Sequence, residues 1–196
     1  MKPMSKLWRR ARRSVEGLLK DCSGIAATEF AVIVPLMLVM FFGTVEFSSG
    51  VAVDRKVTLV ARTLSDLTSQ SLTVATSDLT NFFTAGTAIL TPYPSTPINA
   101  VISELYVDPT TLKARVQWSQ AYQGGAVRGQ GTIVVIPTAL AVAGTYLIFS
   151  EVSYLYTPTV GYVMAKAGVT LSDVAYTRPR QSTCVFLSPA TACTTH

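Results

Sequence analysis

The stretch GIAATEFAVIVPLMLVMFFGTVEF, residues 24–47, decides how the rest of the chain can fold. Its apolar run, residues 25–45, is interrupted only by Glu29. At 1.5 Å per residue this run makes about 31 Å of helix, close to the roughly 30 Å hydrocarbon core of a bilayer. It predicts one membrane-spanning helix near the N-terminus. A cleaved secretory signal is the alternative, but its apolar region usually has about 7 to 15 residues and ends at a small-x-small site. Here Glu46-Phe47-Ser48-Ser49 would be a poor cleavage site. A second apolar stretch, residues 139–149, contains Gly144 and Thr145 and is too short to span. It reads as the start of a buried strand.

Outward from the run, charge sorts the chain into two sides. The formal net charge of +5 would ordinarily raise nucleic acid as a partner. Residues 1–24 hold Lys2, Lys6, Arg9, Arg10, Arg12, Arg13 and Lys20 against Glu16 and Asp21, and the remainder is neutral. All of the excess therefore precedes the apolar run, where the positive-inside rule keeps it in the cytoplasm. Topology accounts for the charge, and no nucleic-acid partner is expected.

Beyond the run the helical pattern continues: Val53, Val57, Val60, Leu64 and Leu67 recur at steps of four and three. The opposite face carries Asp54, Arg55, Arg62, Ser65 and Asp66, so this part leaves the lipid and lays one side on a soluble domain. The chain divides into a basic cytoplasmic leader (1–24), a transmembrane helix (25–45), an amphipathic continuation (46–70) and an exported domain (71–196). A Ser/Thr-rich break at 69–77 precedes a shorter amphipathic helix with Leu79, Phe82, Phe83, Ile89 and Leu90 on one face and Ser77 as its N-cap. Three prolines at 92, 94 and 97 end it.

The period then becomes two. In residues 112–122, Ala114, Val116, Trp118 and Gln120 alternate with Lys113, Arg115, Gln117 and Ser119, a strand with one buried and one wet face. Residues 98–107 precede it across the turn Asp108-Pro109-Thr110-Thr111, and the two predict a hairpin. Residues 146–157 and 169–177 supply two more strands. The fold class is α+β: a long N-terminal helix packed on a small antiparallel sheet. The glycine-rich stretch at 124–131 lacks the ending of a phosphate loop and reads as a flexible surface loop.

An enzyme needs a convergent set of acids, bases or ligands. The sole histidine is His196 and the acids beyond the apolar run are scattered, so no enzyme activity, cofactor or metal is expected. Of the three cysteines, Cys22 lies on the cytoplasmic side, whereas Cys184 and Cys193 lie together in the exported part and are expected to form a disulfide.

The telling residues sit at the membrane edge. Gly24 has no side chain and lets a protease reach the backbone. Glu29 is costly inside an apolar run and needs a partner. Cutting after Gly24 creates an ammonium at Ile25, about 6 Å along the helix from Glu29. That amine, in the same chain or in a neighbour displaced along a filament, is the candidate partner, and such a pair would set subunit register.

These residues resemble a prepilin processing site, and their surroundings resemble the TadE-like pseudopilins of tight-adherence (Tad) pili. The shared pattern is Glu29-Phe30-Ala31, Pro35, Gly43 and Glu46-Phe47. Val116-Gln117-Trp118-Ser119, residues 151–158 and Arg178-Pro179-Arg180 are similar to features of the family's exported domain. The resemblance implies that a prepilin peptidase removes residues 1–24 by cutting between Gly24 and Ile25. The product would be a single-pass inner-membrane protein with a periplasmic C-terminal domain. It would act with other pilin or pseudopilin subunits and the pilus assembly platform, with Glu29 as assembly determinant and Glu46 at the outer interface. Relatives with an additional large domain do not fit this length. The alternatives are a pseudopilin of a secretion system and an uncleaved exported protein that binds a partner through its sheet.

Overall fold

The computed structural model describes Gly17, residues 23–158 and residues 168–195, so the leader and His196 lie outside the described residues, Gly17 and the last two leader residues excepted. The chain divides after Val45 into two compact units. Helix α1, Ser23–Ser69, begins in the first unit and continues into the second. It is followed by β1 (Thr73–Val74), α2 (Thr76–Ala88), β2 (Ile98–Val107), β3 (Ala114–Tyr122), β4 (Ile133–Val134), a 3₁₀ turn (Thr138–Leu140), β5 (Tyr146–Tyr156), β6 (Val169–Thr177) and β7 (Phe186–Leu187).

In the first unit the apolar side chains of α1 face outward, and Phe30, Val32, Leu36 and Met40 are all exposed. This helix is long and apolar enough to cross a membrane, with none of its most apolar window buried. Pro35 sits inside it, where it removes one backbone donor.

The second unit is α+β, with a long helix laid on an antiparallel sheet of order β4-β3-β2-β5-β6. Val53, Val57, Val60, Ala61 and Leu64 of α1 are buried against Ile98, Ala100, Ile102, Ile148, Val152 and Tyr154 of the sheet. The expected stripe needs two corrections. Leu67 is only half-buried, and Ser65, expected on the wet face, is fully buried at the seam. Its hydroxyl donates to Thr177 Oγ1 (2.7 Å), while the Ser150 hydroxyl donates to the Ala61 carbonyl (2.5 Å). A small polar side chain is tolerated there because the opposing element supplies the partner.

Helix α2 starts one residue before Ser77, which is therefore not its N-cap. Ala75 holds that position, and its amide donates to Asp78 Oδ2 at 2.9 Å. Leu79, Phe83 and Gly86 are its buried residues. Lys56 of α1 closes the far end by donating to the carbonyls of Ile89 and Thr91, both at 2.8 Å.

The hairpin turn is held by Asp108, whose Oδ1 accepts the amides of Thr110 (2.8 Å) and Thr111 (2.9 Å). Leu112 takes a positive φ of 53° there, which is why β3 starts at Ala114 rather than 112.

Simple alternation along β3 fails at one place. Glu104 lies opposite Trp118, but the next residue, Leu105, lies opposite Val116, so Gln117 is an extra residue in β3. One added residue moves everything beyond it to the other face. Ala114 and Val116 pack in a second cluster with Leu105, Val107, Leu147 and Phe149, whereas Trp118 and Tyr122 pack on the helix side. Both faces of this sheet are thus buried in part.

The glycine-rich stretch packs on that second face. The Gly124 amide donates to Asn99 Oδ1 (3.0 Å) and the Arg128 amide to Ser119 Oγ (3.2 Å). The Arg128 guanidinium grips Glu151 in two contacts, one of them at 2.7 Å from Nη2 to Oε1, and lies 5.5 Å from the centre of the Phe149 ring. The bidentate pair and the ring hold the segment down. The apolar stretch at 139–149 contributes the end of a 3₁₀ turn and then the first residues of β5.

Candidate functional site

Two places carry unusual chemistry, and they belong to different units. The first is the start of α1. Gly24 is exposed, and a side-chain carbon built on it would meet nothing within 4 Å. Ile25 follows, 59% exposed, and its carbonyl accepts the Thr28 hydroxyl at 2.8 Å. Glu29 is exposed on the next turn, followed at once by the exposed Phe30. Helical rise separates Ile25 and Glu29 by about 6 Å. The residues expected to form a cleavage site and an assembly determinant therefore stand open on one short piece of helix.

Glu46 is placed differently. It opens the second unit and is only 3% exposed, so it is an internal residue of the globular part rather than a surface acid. Burial pushes the Tyr156 phenol up, with Tyr93 and the Glu46 carboxylate adding to the effect and the Ser49 hydroxyl opposing it.

The second place is the C-terminal segment against the β3 bulge. Cys184 and Cys193 are joined by a disulfide, with 5.8 Å between their Cα atoms, and Cys184 and Val185 are fully buried. The Trp118 indole donates to the Val185 carbonyl (2.8 Å), and the Val185 amide donates to Glu104 Oε1 (2.6 Å). Thr194 donates to Gln117 Oε1 (3.1 Å), and its carbonyl accepts the Tyr146 hydroxyl (3.0 Å). Strand β7 extends the attachment by pairing in parallel with β1. Upstream, the Arg180 amide donates to the Ser69 carbonyl (2.9 Å) and its guanidinium pairs with Asp66.

Glu104 is the member of this cluster that sequence reasoning missed. It is 3% exposed, and burial pushes its carboxyl from an ordinary 4.5 up to about 8, against the lowering effects of the Val185 amide and the Trp118 indole. At neutral pH it holds a proton. The signal was present as a lone acid inside the apolar strand 98–107. A small cavity of about 250 Å³ beside it is lined by Gln117, Gln130 and Thr194. Among the described residues no three His, Cys, Asp or Glu side chains come together as a metal site.

Residues 24–64 match the family model of TadE-like proteins. The match covers α1 from Gly24 to Leu64 and stops short of the sheet. It marks the chain as resembling a component associated with the Tad pilus. No curated protein and no solved structure matches the chain.

Proposed function

We propose that this chain is a minor pilin or pseudopilin of a Tad-type pilus, made by leader cleavage between Gly24 and Ile25. The carrying observation is the placement of Glu29 five residues past Gly24, at the open start of an apolar helix, within the segment that matches the TadE-like family. A prepilin peptidase in the inner membrane frees the Ile25 amine. The apolar helix stores the subunit in the bilayer as a single-pass protein, with the disulfide-bonded domain in the oxidising periplasm. Glu29 then pairs with the Ile25 ammonium of its own chain or of a neighbouring subunit as the assembly platform draws the helix into a growing pilus. An unpaired carboxylate inside a bundle of apolar helices is expensive, so only registers that supply the amine are stable. The protein acts by assembly, with no catalytic step and no cofactor.

N-terminal mass spectrometry of membrane-extracted protein tests the cleavage: a start at Ile25 is expected, and an intact Met1 or another start contradicts it. Glu29→Ala is expected to abolish or sharply reduce piliation while leaving membrane insertion unchanged. Normal piliation with this variant removes the assembly role from Glu29.

A further inference from the structure

The second unit carries an apolar groove of about 210 Å³ that neither of the sites above uses. It is lined by Phe47, Gly50 and Val51 of α1, Tyr156 of β5, and Val169 and Leu171 of β6. Asp54 is its one charged lining residue, on the turn of α1 after Val51. Phe47 is 66% exposed, Val51 39% and Val169 37%, so the apolar lining is open to the outside.

Chain connectivity says where this groove must be. Phe47 is two residues past Val45, the end of the apolar run, and two residues reach at most about 7 Å. Whatever the attitude of the domain, Phe47 cannot leave the edge of the bilayer if the run spans it. Val51 follows Phe47 by about 6 Å of helical rise, so the groove begins at the bilayer edge and extends to the headgroup side of it. Between the hydrocarbon core and water lie roughly 5 to 7 Å of headgroup region on each side. Apolar and aromatic side chains such as Phe47 favour the acyl side of that region.

We propose that this groove is a lipid-contacting surface, resting in the acyl–headgroup boundary of the leaflet through which α1 leaves the membrane. Phe47 enters the boundary, Val51 and Val169 lie on its headgroup side, and the domain has a second lipid contact besides its helix. This rests on membrane insertion of α1 but not on pilus assembly. It also gives the subunit a contact that must be broken when it is extracted from the membrane.

The test uses the full chain with Cys22→Ser, so that Cys184 and Cys193 stay paired and a single added thiol is free. A nitroxide is attached at Val169→Cys and, separately, at Val51→Cys, with Val135→Cys as the water reference because Val135 is 90% exposed. The protein is placed at one copy per nanodisc of phosphatidylethanolamine with a minority of phosphatidylglycerol. At Val169 and Val51 collisions with oxygen are expected to rise, and those with a water-soluble nickel chelate to fall, several-fold relative to Val135. Labels at both sites as open to the nickel chelate as at Val135 overturn the proposal while leaving insertion intact. Protection that appears only with two copies per disc, with spin–spin broadening, also overturns it and assigns the groove to a second subunit. A chain that carbonate washes off vesicles overturns the groove and the insertion reading together.

Discussion

Glu104 offers the sharpest test of how the C-terminal segment is held. In the unfolded chain its carboxyl ionises near 4.5, and in the folded domain it keeps its proton until about 8. Between these values the folded state binds the extra proton, so stability is full below about 4.5 and falls as pH rises toward 8. Each unit of pKa difference corresponds to about 1.4 kcal/mol, so the group costs about 3 kcal/mol at pH 7 and somewhat more at pH 8 and above. Glu104→Gln keeps an oxygen to accept the Val185 amide but has nothing to ionise. The variant should match the wild type at pH 4 and exceed it by about 3 kcal/mol at pH 7. The assay is urea unfolding of the full chain in detergent micelles with the disulfide intact, in a Trp8→Phe background so that Trp118, which touches the same segment, reports the transition. The variant-minus-wild-type difference isolates this group from other carboxylates, such as Asp108, whose pKa is lowered by the turn amides and which titrates with the opposite sign. A difference at pH 7 no larger than that at pH 4 would refute the reasoning.

Three further outcomes follow from the packing. A side-chain carbon at Gly125 would lie 2.5 Å from the Ala100 carbonyl and 2.9 Å from Val101 Cγ2, so Gly125→Ala should cost about 1 to 3 kcal/mol and expose the 124–131 segment to limited proteolysis. Gly129→Ala, whose added carbon meets only Thr132 Oγ1 at 3.5 Å, serves as the silent control. Leu64, fully buried between helix and sheet and also in contact range of Gly86, should lose about 2 to 5 kcal/mol on truncation to alanine, read as a lower urea midpoint. Opening the Cys184–Cys193 bridge by reductant should lower stability by about 2 to 3 kcal/mol through greater freedom of the unfolded chain, with release of the Val185–Trp118 contact visible in tryptophan fluorescence.

Much of the architecture was legible because it rests on long, strongly periodic segments. The stripe Val53–Val57–Val60–Leu64 requires a partner surface, and residues 98–107, 146–156 and 169–177 take the strands their composition predicts. What escaped had no period to read. Strands β1, β4 and β7 are two residues each, too short for any alternation to show. Ser65 is polar in itself and reads as a solvent residue until Thr177, 112 positions away, supplies its partner. The glycines at 124 and 125 read as freedom, whereas their missing side chains let the backbone close on Asn99 and Ala100.

The start of α1 shows the division most clearly. An apolar run of bilayer length, the basic residues before it, and the spacing of Gly24, Ile25 and Glu29 are properties of consecutive residues, so the linear order of the chain determined them. Tertiary structure decided which residues meet across distance. One extra residue, Gln117, turns the outer half of β3 over and places Trp118 beside Glu104, and the C-terminal segment then closes over both. That pairing depends on register and on burial, which neither Glu104 nor Trp118 carries alone, and burial is what keeps the carboxyl protonated.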